Sequence, residues 1–546
     1  MAELTYDFII VGAGPAGSSV AWRLANSKKA PSVLVVEAGG DNSNQDLRIT
    51  GERWITRFRP DLNYSYKTVP QRHVNDREIE YDRGRGLGGS SSINYCAYNI
   101  GPKDDHDEIA RLVGDDDWKW ENARERYKRI ESYHGFPPEI PSGMNKYLSP
   151  KPEDHGKSGP INVGFSTKWE PTTTQMLDVW AQSGYKFRAD LSDGQGLGLT
   201  IAPSSSFNGV RSTAADMLVN GPSNLHIKTD DGVHKVLFEG KRAVSVQTLS
   251  GQIYRASKEI ILSAGTLDTP KILMHSGIGP VDQLHKFNIN ITHANNAVGQ
   301  NLVDHFHIGP AWVRRSANPE RLAWFQASPS VKAAALEQWK TDKTGPLAEI
   351  LVNVPIGFFK SPAVFKSKEF HDLPEDRKAH LLAPTVPSYE IIPDGPCLEY
   401  FVDPSNTPEL VGVGVFVMNQ QSRGSVTMQS ADPKVPLLYD PNFLAHPFDR
   451  RVAIEATREV LTVMEGPAMK KDLLGPSAIT GTPKSSSEED ILEFWRNHLM
   501  STWHMTGSCK MGKEEGDRAV VDAKLKVFGV DGLRVADMSV VPFVPK

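Results

Sequence analysis

Cysteine is scarce in this chain: Cys96, Cys397 and Cys509 are the three in 546 residues, far apart and never in a Cys-x-x-Cys pair. A disulfide framework, a zinc ribbon and a dithiol redox centre are therefore not expected. An excess of one charge is also lacking. Lys+Arg 61 against Asp+Glu 66 leaves a net charge of −5, with no long run of either sign, which argues against nucleic-acid binding or a polybasic membrane contact. No stretch approaches the roughly 18–20 apolar residues of a membrane span. Met1 to Asp7 offers neither the basic start nor the apolar core of a secretory signal, and the chain carries no terminal retrieval motif. The expectation is a cytoplasmic protein with no membrane or nucleic-acid partner. Its length is that of two large domains or one elaborate one.

What is present begins at once. Asp7-Phe8-Ile9-Ile10-Val11 is a β-branched run suited to a parallel strand buried on both faces. Gly12-Ala13-Gly14-Pro15-Ala16-Gly17 follows, then a helical stretch from Ser18 to Ala25 and a second strand, Ser32 to Val36, ending at Glu37. Each part has a physical task. Gly12 permits the tight turn, Gly14 lets the backbone approach a pyrophosphate, and Gly17 lets helix and strand pack closely. The helix start, with Pro15 and Ala16, aims unpaired N–H groups at phosphates. Glu37 lies where a carboxylate binds a ribose hydroxyl. A dinucleotide site follows, with NAD and FAD both open on this motif.

Residues 49–82 form a polar excursion of the kind that covers sites. The next segment, Arg83 to Ser92, is dense in Gly and Ser, as suits backbone pressed against a ligand. Glu259 to Gly265 predicts another buried strand, followed by a helix with Thr269 as N-cap and Pro270 at its first position. Val411-Gly412-Val413-Gly414-Val415-Phe416-Val417 alternates as an antiparallel strand does, and Asp531 to Asp537 reads as a last strand with a terminal carboxylate. The fold class expected is α/β with an α+β second domain: a Rossmann-like dinucleotide-binding domain over 1–160, 200–308 and 495–546, interleaved with a substrate domain on an antiparallel sheet over 161–199 and 309–494.

These segments resemble the glucose-methanol-choline oxidoreductases, flavoenzymes that oxidise alcohols with FAD. Gly84 to Asn94 is similar to that family's first signature and Gly265 to Gly279 to its second. Val298 to His305, Ser422-Arg423-Gly424 and Trp503 to Gly512 are similar to further family blocks. The resemblance implies FAD as cofactor, a small-molecule alcohol as substrate, and oxygen or another electron acceptor. It implies that Asn94, Tyr95, Cys96 and Ala97 line the flavin, that the Val233 backbone meets the adenine, and that Asp537 and Met538 lie by the ribityl–pyrophosphate portion. Ala38, Arg85, Gly88, Gly89, Ser90, Ala264 and Trp503 complete the expected cofactor contacts. Some relatives tether FAD through a histidine in the first signature; Ile93 stands in that position, so a noncovalent flavin is expected.

Hydride loss from a CH–OH group requires a base for the hydroxyl proton, and imidazole suits neutral pH. The resemblance singles out His504 for that role. Trp503 fits a pocket wall or plain core equally well, and Cys509 reads as a buried structural thiol. His305 and His307 suggest a metal only at i, i+2 with no third ligand, so no metal is expected. In the family a Ser/Asn/His/Thr-rich turn with a second active-site His or Asn follows the Pro-Phe-Val-Pro-like segment, whereas the sequence given stops at Lys546. Two alternatives stand beside alcohol oxidation: the resemblance also admits a non-redox lyase or cyclase with structural FAD, and the missing turn suggests a flavin-binding protein with impaired catalysis.

Overall fold

The computed structural model describes residues 4–135, 144–166, 168–315 and 319–546. Two large sheets organise the chain. In the first, the strand Leu4–Val11 lies parallel between Val33–Val36 and Ile253–Leu262, with Leu225–Lys228 beyond Val33–Val36. Ile9, Ile10, Val33 and Val35 are wholly buried, which is why the run is apolar without alternation. Leu533–Val535 adds in parallel beside Ile253–Leu262, and the antiparallel strands Arg242–Thr248 and Val233–Glu239 complete the sheet. The C-terminal ends of the parallel strands lead into Gly12, Glu37, Ser263 and Ala536. That edge is where ligands bind in open α/β sheets.

The helix Pro15–Ala25 leaves this edge through the Gly12 turn, where φ is +98°. A Cβ on Gly17 would stand 2.0 Å from the Gly12 carbonyl oxygen, so only glycine allows the helix so close to the strand. The helix after Ile253–Leu262 runs Thr269–His275 with Asp268 at the N-cap, not Thr269 as the Thr-Pro pair predicts. The Thr269 hydroxyl is drawn away to the Asp537 carboxylate.

The second sheet is antiparallel throughout, as the alternation predicts: Leu473–Pro476, Ala311–Arg314, Leu410–Val417, Tyr389–Gly395, Val354–Phe359 and Gly198–Ala202 in order. Phe306–Ile308 also pairs with Leu410–Val417, and in turn with Met500–Ser501. The boundaries expected at 199/200 and 308/309 thus fall in or at the end of strands of this sheet. Its two faces differ. Val413, Val415, Val417, Tyr389 and Ile391 are fully buried, in one core with the helix Pro447–Met464. The alternate residues Gly414, Phe416, Glu390, Ile392 and His307 are only half-buried. No helix among the described residues is long and apolar enough to cross a membrane.

Candidate active site

The glycine loop and the second Gly-rich segment meet. A Cβ on Gly89 would lie 2.7 Å from the Gly14 Cα, and the Gly88 N–H donates to the Ala13 carbonyl at 2.9 Å. Glu37 clips them together: its buried carboxylate accepts from the N–H groups of Ala13 (2.8 Å), Gly39 (2.9 Å) and Gly86 (3.1 Å). Burial pushes its pKa up, against the pull of those donors. The start of the Pro15–Ala25 helix has no side-chain cap, so its first N–H groups have no capping side chain. Pro15 is exposed, and a Cβ on Gly14 would meet nothing nearer than the Gly89 Cα at 4.0 Å. An uncapped helix start beside open glycine backbone fits a pyrophosphate.

Other expected cofactor residues border the same strand ends. A Cβ on Gly232 would be 2.9 Å from the Ala38 Cβ, so the segment leading into Val233 lies against Ala38. The Arg85 side chain also runs beside Gly39. Ala264 precedes Gly265, whose N–H donates to Asp537 at 2.9 Å, and Met538 is 44% exposed. Asn94 and Ala97 are open, while Ser90, whose hydroxyl accepts from the Gly84 N–H, ties the loop to itself. Cys96 has φ +62° and Trp503 φ +60°, left-handed conformations that cost a non-glycine residue of order 1–3 kcal/mol and gather at functional sites. Tyr95 joins them, its ring 5.8 Å from that of Trp503 and 4.3 Å from that of Trp54. Ile93 is instead packed away with Leu47 and Leu62.

His504 is positioned from below by a carboxyl. Its N–H donates to Asp304 Oδ1 at 2.8 Å, and the Ser501 hydroxyl donates to Asp304 Oδ2 at 2.5 Å while accepting from the Trp503 N–H at 2.8 Å. Arg83 donates to the Trp503 carbonyl at 2.6 Å. These bonds hold the strained 503–504 peptide in place. The imidazole faces open space yet is set deep in the protein; burial holds its pKa down to about 4, with the Arg83 charge adding to the shift. Its Nδ1 lies 3.3 Å from His305 Nδ1.

His305 and His307 thus lie beside His504, and no group of three or more His, Cys, Asp or Glu side chains that could hold a metal occurs among the described residues. His307 stacks on Phe416 at 4.7 Å, and burial lowers its pKa to about 3. Burial also lowers His305, and raises Asp304 to about 7. The Arg57 guanidinium, paired to Glu80 and Asp82, lies 4.9 Å from the centre of the Trp503 ring. Sequence reasoning missed Arg57, Asp304 and the role of His305. The 298–305 block and the His305/His307 pair were legible, but only the 504–304 pairing shows what Asp304 does. Cys509 is buried, and burial pushes its thiol pKa far above the usual range, as fits a structural residue.

Comparison with known proteins finds matches along nearly the whole chain. Models described as GMC oxidoreductase match residues 6–307 and 420–546. The chain is 32% identical to the oxygen-dependent choline dehydrogenase of Proteus mirabilis over 568 residues, 99% of this chain and 92% of that one. It is 30% identical to the patulin synthase of Penicillium expansum over 576 residues, 99% and 88% respectively. Among solved structures, a formate oxidase variant from Aspergillus oryzae RIB40 superposes with a TM-score of 0.88 at 26% identity, covering 100% of this chain and 95% of that one.

Proposed function

From a chain that belongs to the GMC oxidoreductase family and takes FAD as cofactor, we propose an enzyme that oxidises the CH–OH group of a small-molecule alcohol with His504 as base. The observation that carries the reading is the His504 imidazole: neutral at physiological pH, braced by Asp304, and with no protein partner on Nε2 among the described residues. FAD, when bound, supplies the hydride acceptor. His504 Nε2 takes the hydroxyl proton as the carbon becomes a carbonyl. That role requires the other ring proton on Nδ1. His305 Nδ1, at 3.3 Å, is its acceptor, which makes His305 a positioning residue.

The pyrophosphate would be held by the N–H groups at the start of Pro15–Ala25 and by the Gly88–Ser90 backbone, and the adenine would lie by Ala38 and Val233. FAD is held noncovalently, because Ile93 is aliphatic and packed against Leu47 and Leu62. The test is a panel of alcohols added without oxygen. Bleaching of the bound flavin supports oxidation, and a flavin that stays oxidised while substrate is consumed would mean lyase chemistry. Repeating the reoxidation with oxygen and with artificial acceptors separates oxidase from dehydrogenase.

A further inference from the structure

The tip of the polar excursion, the start of the helix Pro447–Met464 and the helix Glu488–His498 enclose a surface cavity of about 330 Å³. None of its lining residues has a part in the chemistry proposed above, and none is acidic. Arg72, His73, Arg450 and Arg496 line it, together with the apolar residues Leu444 and Leu492. In a chain of net charge −5 this is a local concentration of positive charge.

The fold makes little use of these cations. Arg72 and His73 are exposed and form no hydrogen bond or ion pair among the described residues. Arg450 uses one nitrogen, Nη1, to donate to the carbonyls of Leu444 (2.6 Å) and Ala445 (2.9 Å), and its Nε and Nη2 have no partner among the described residues. Those two bonds hold a turn in which Leu444 has φ +58°, a conformation that bulky side chains seldom adopt. Arg496 has a carboxylate partner, Glu493 at 3.3 Å, on the exposed rim, where Asn497 shares it at 2.9 Å; such a surface pair contributes little. Burial lowers the pKa of His73, and the charges of Arg450 and Arg72 lower it further, so the potential of the guanidiniums extends to this ring. The walls are also fastened together. Arg77 donates to the Arg496 carbonyl at 2.9 Å and to the Leu499 carbonyl at 3.3 Å, and Asn75 donates to Asn497 Oδ1 at 3.0 Å.

We infer that this cavity binds the phosphate group of an organic phosphate monoester whose apolar part rests on Leu444 and Leu492. A phosphate monoester carries nearly two negative charges at neutral pH and presents several strong acceptor oxygens. Guanidinium forks pair with such oxygens two at a time. A carboxylate, with a single charge, would leave guanidiniums of this cavity unanswered. The bound phosphate would join Arg72 of the excursion to Arg450 and Arg496 of the two helices. The second of these helices leads through Leu499 into Met500–Ser501, and the Ser501 hydroxyl holds Asp304. The site is separate from the places proposed for FAD and for the alcohol.

The experiment is calorimetric titration of phenyl phosphate into the FAD-loaded enzyme, beside inorganic phosphate and benzoate at the same ionic strength. Phenyl phosphate should bind saturably, one per chain, and at least about tenfold more tightly than either control, because benzoate gives up a charge-assisted hydrogen bond and inorganic phosphate the buried ring. In Arg72→Met, which removes no hydrogen bond or ion pair within the protein, affinity should fall at least about tenfold with flavin content unchanged, and it should fall further in Arg72→Met/Arg496→Met. Absence of saturable binding at millimolar phenyl phosphate would overturn the inference. So would equal binding by either control, or an affinity in Arg72→Met/Arg496→Met equal to that of the unmodified enzyme, which would place the phosphate elsewhere.

Discussion

Gly14 and Gly17 lie three residues apart in one motif, yet the structure predicts different consequences for the same substitution. At Gly14 the backbone is extended, φ −72° and ψ −175°, which any residue adopts. An added Cβ there meets only the Gly89 Cα, at an ordinary 4.0 Å. Gly14→Ala should therefore fold, with a stability change below about 1 kcal/mol, the scale of a changed N-cap. The new methyl occupies the space through which the backbone would approach the pyrophosphate. Hydrogen bonds to a charged group contribute about 1.5–3 kcal/mol each, so loss of one weakens FAD binding by about 10- to 150-fold. At Gly17 the same Cβ would lie 2.0 Å from the Gly12 oxygen and 3.2 Å from the Ser263 Cβ. The helix must move, and overpacking of this kind costs about 1–3 kcal/mol or more in the protein free of cofactor. The assay is paired: thermal unfolding of cofactor-free protein, and FAD affinity by fluorescence titration. Gly14→Ala should retain its unfolding temperature and lose FAD, while Gly17→Ala should lose both. Unchanged FAD affinity in Gly14→Ala would show that the phosphates lie elsewhere.

Other consequences can be measured on the same protein. Acid or heat should release all of the FAD from the polypeptide; flavin remaining on denatured chain would refute noncovalent attachment. Burial lowers the His504 pKa to about 4, and a base must be unprotonated, so kcat/KM should stay level from about pH 8 down to about 5.5 and fall only as pH drops through about 4. An acidic limb near 6.5 would contradict the buried, neutral imidazole. His305→Leu removes the acceptor for the His504 Nδ1 proton and should slow flavin reduction at least about tenfold without loss of FAD. Recovery of most of that rate in His305→Asn, which restores an acceptor, separates tautomer control from packing.

The nucleotide half of the molecule was legible because its signals are local. Strand, glycine turn, helix and acid occupy consecutive residues from Asp7 to Glu37, and each glycine has a steric reason visible in the pattern. The antiparallel sheet was legible in kind from the alternation at 411–417. Its membership was not, because strands such as Gly198–Ala202 and Met500–Ser501 are short and join from distant parts of the chain. The same distance hid half the site. Asp304 meets His504 across 200 residues, and Arg57 reaches Trp503 from the polar excursion. Glu37 was found for its position, but most of its hydrogen-bonding capacity serves the two loops rather than standing free for a ribose.

The claim on which the account turns is that His504 accepts the substrate proton. It is tested most directly by single-turnover flavin reduction in the absence of oxygen, comparing the unmodified enzyme with His504→Gln, each verified to carry a full complement of FAD. Loss of a general base predicts a reduction rate lower by about 10²–10⁴-fold in the variant, with substrate still bound. Equal reduction rates in the two proteins would contradict the account and assign the base to another residue.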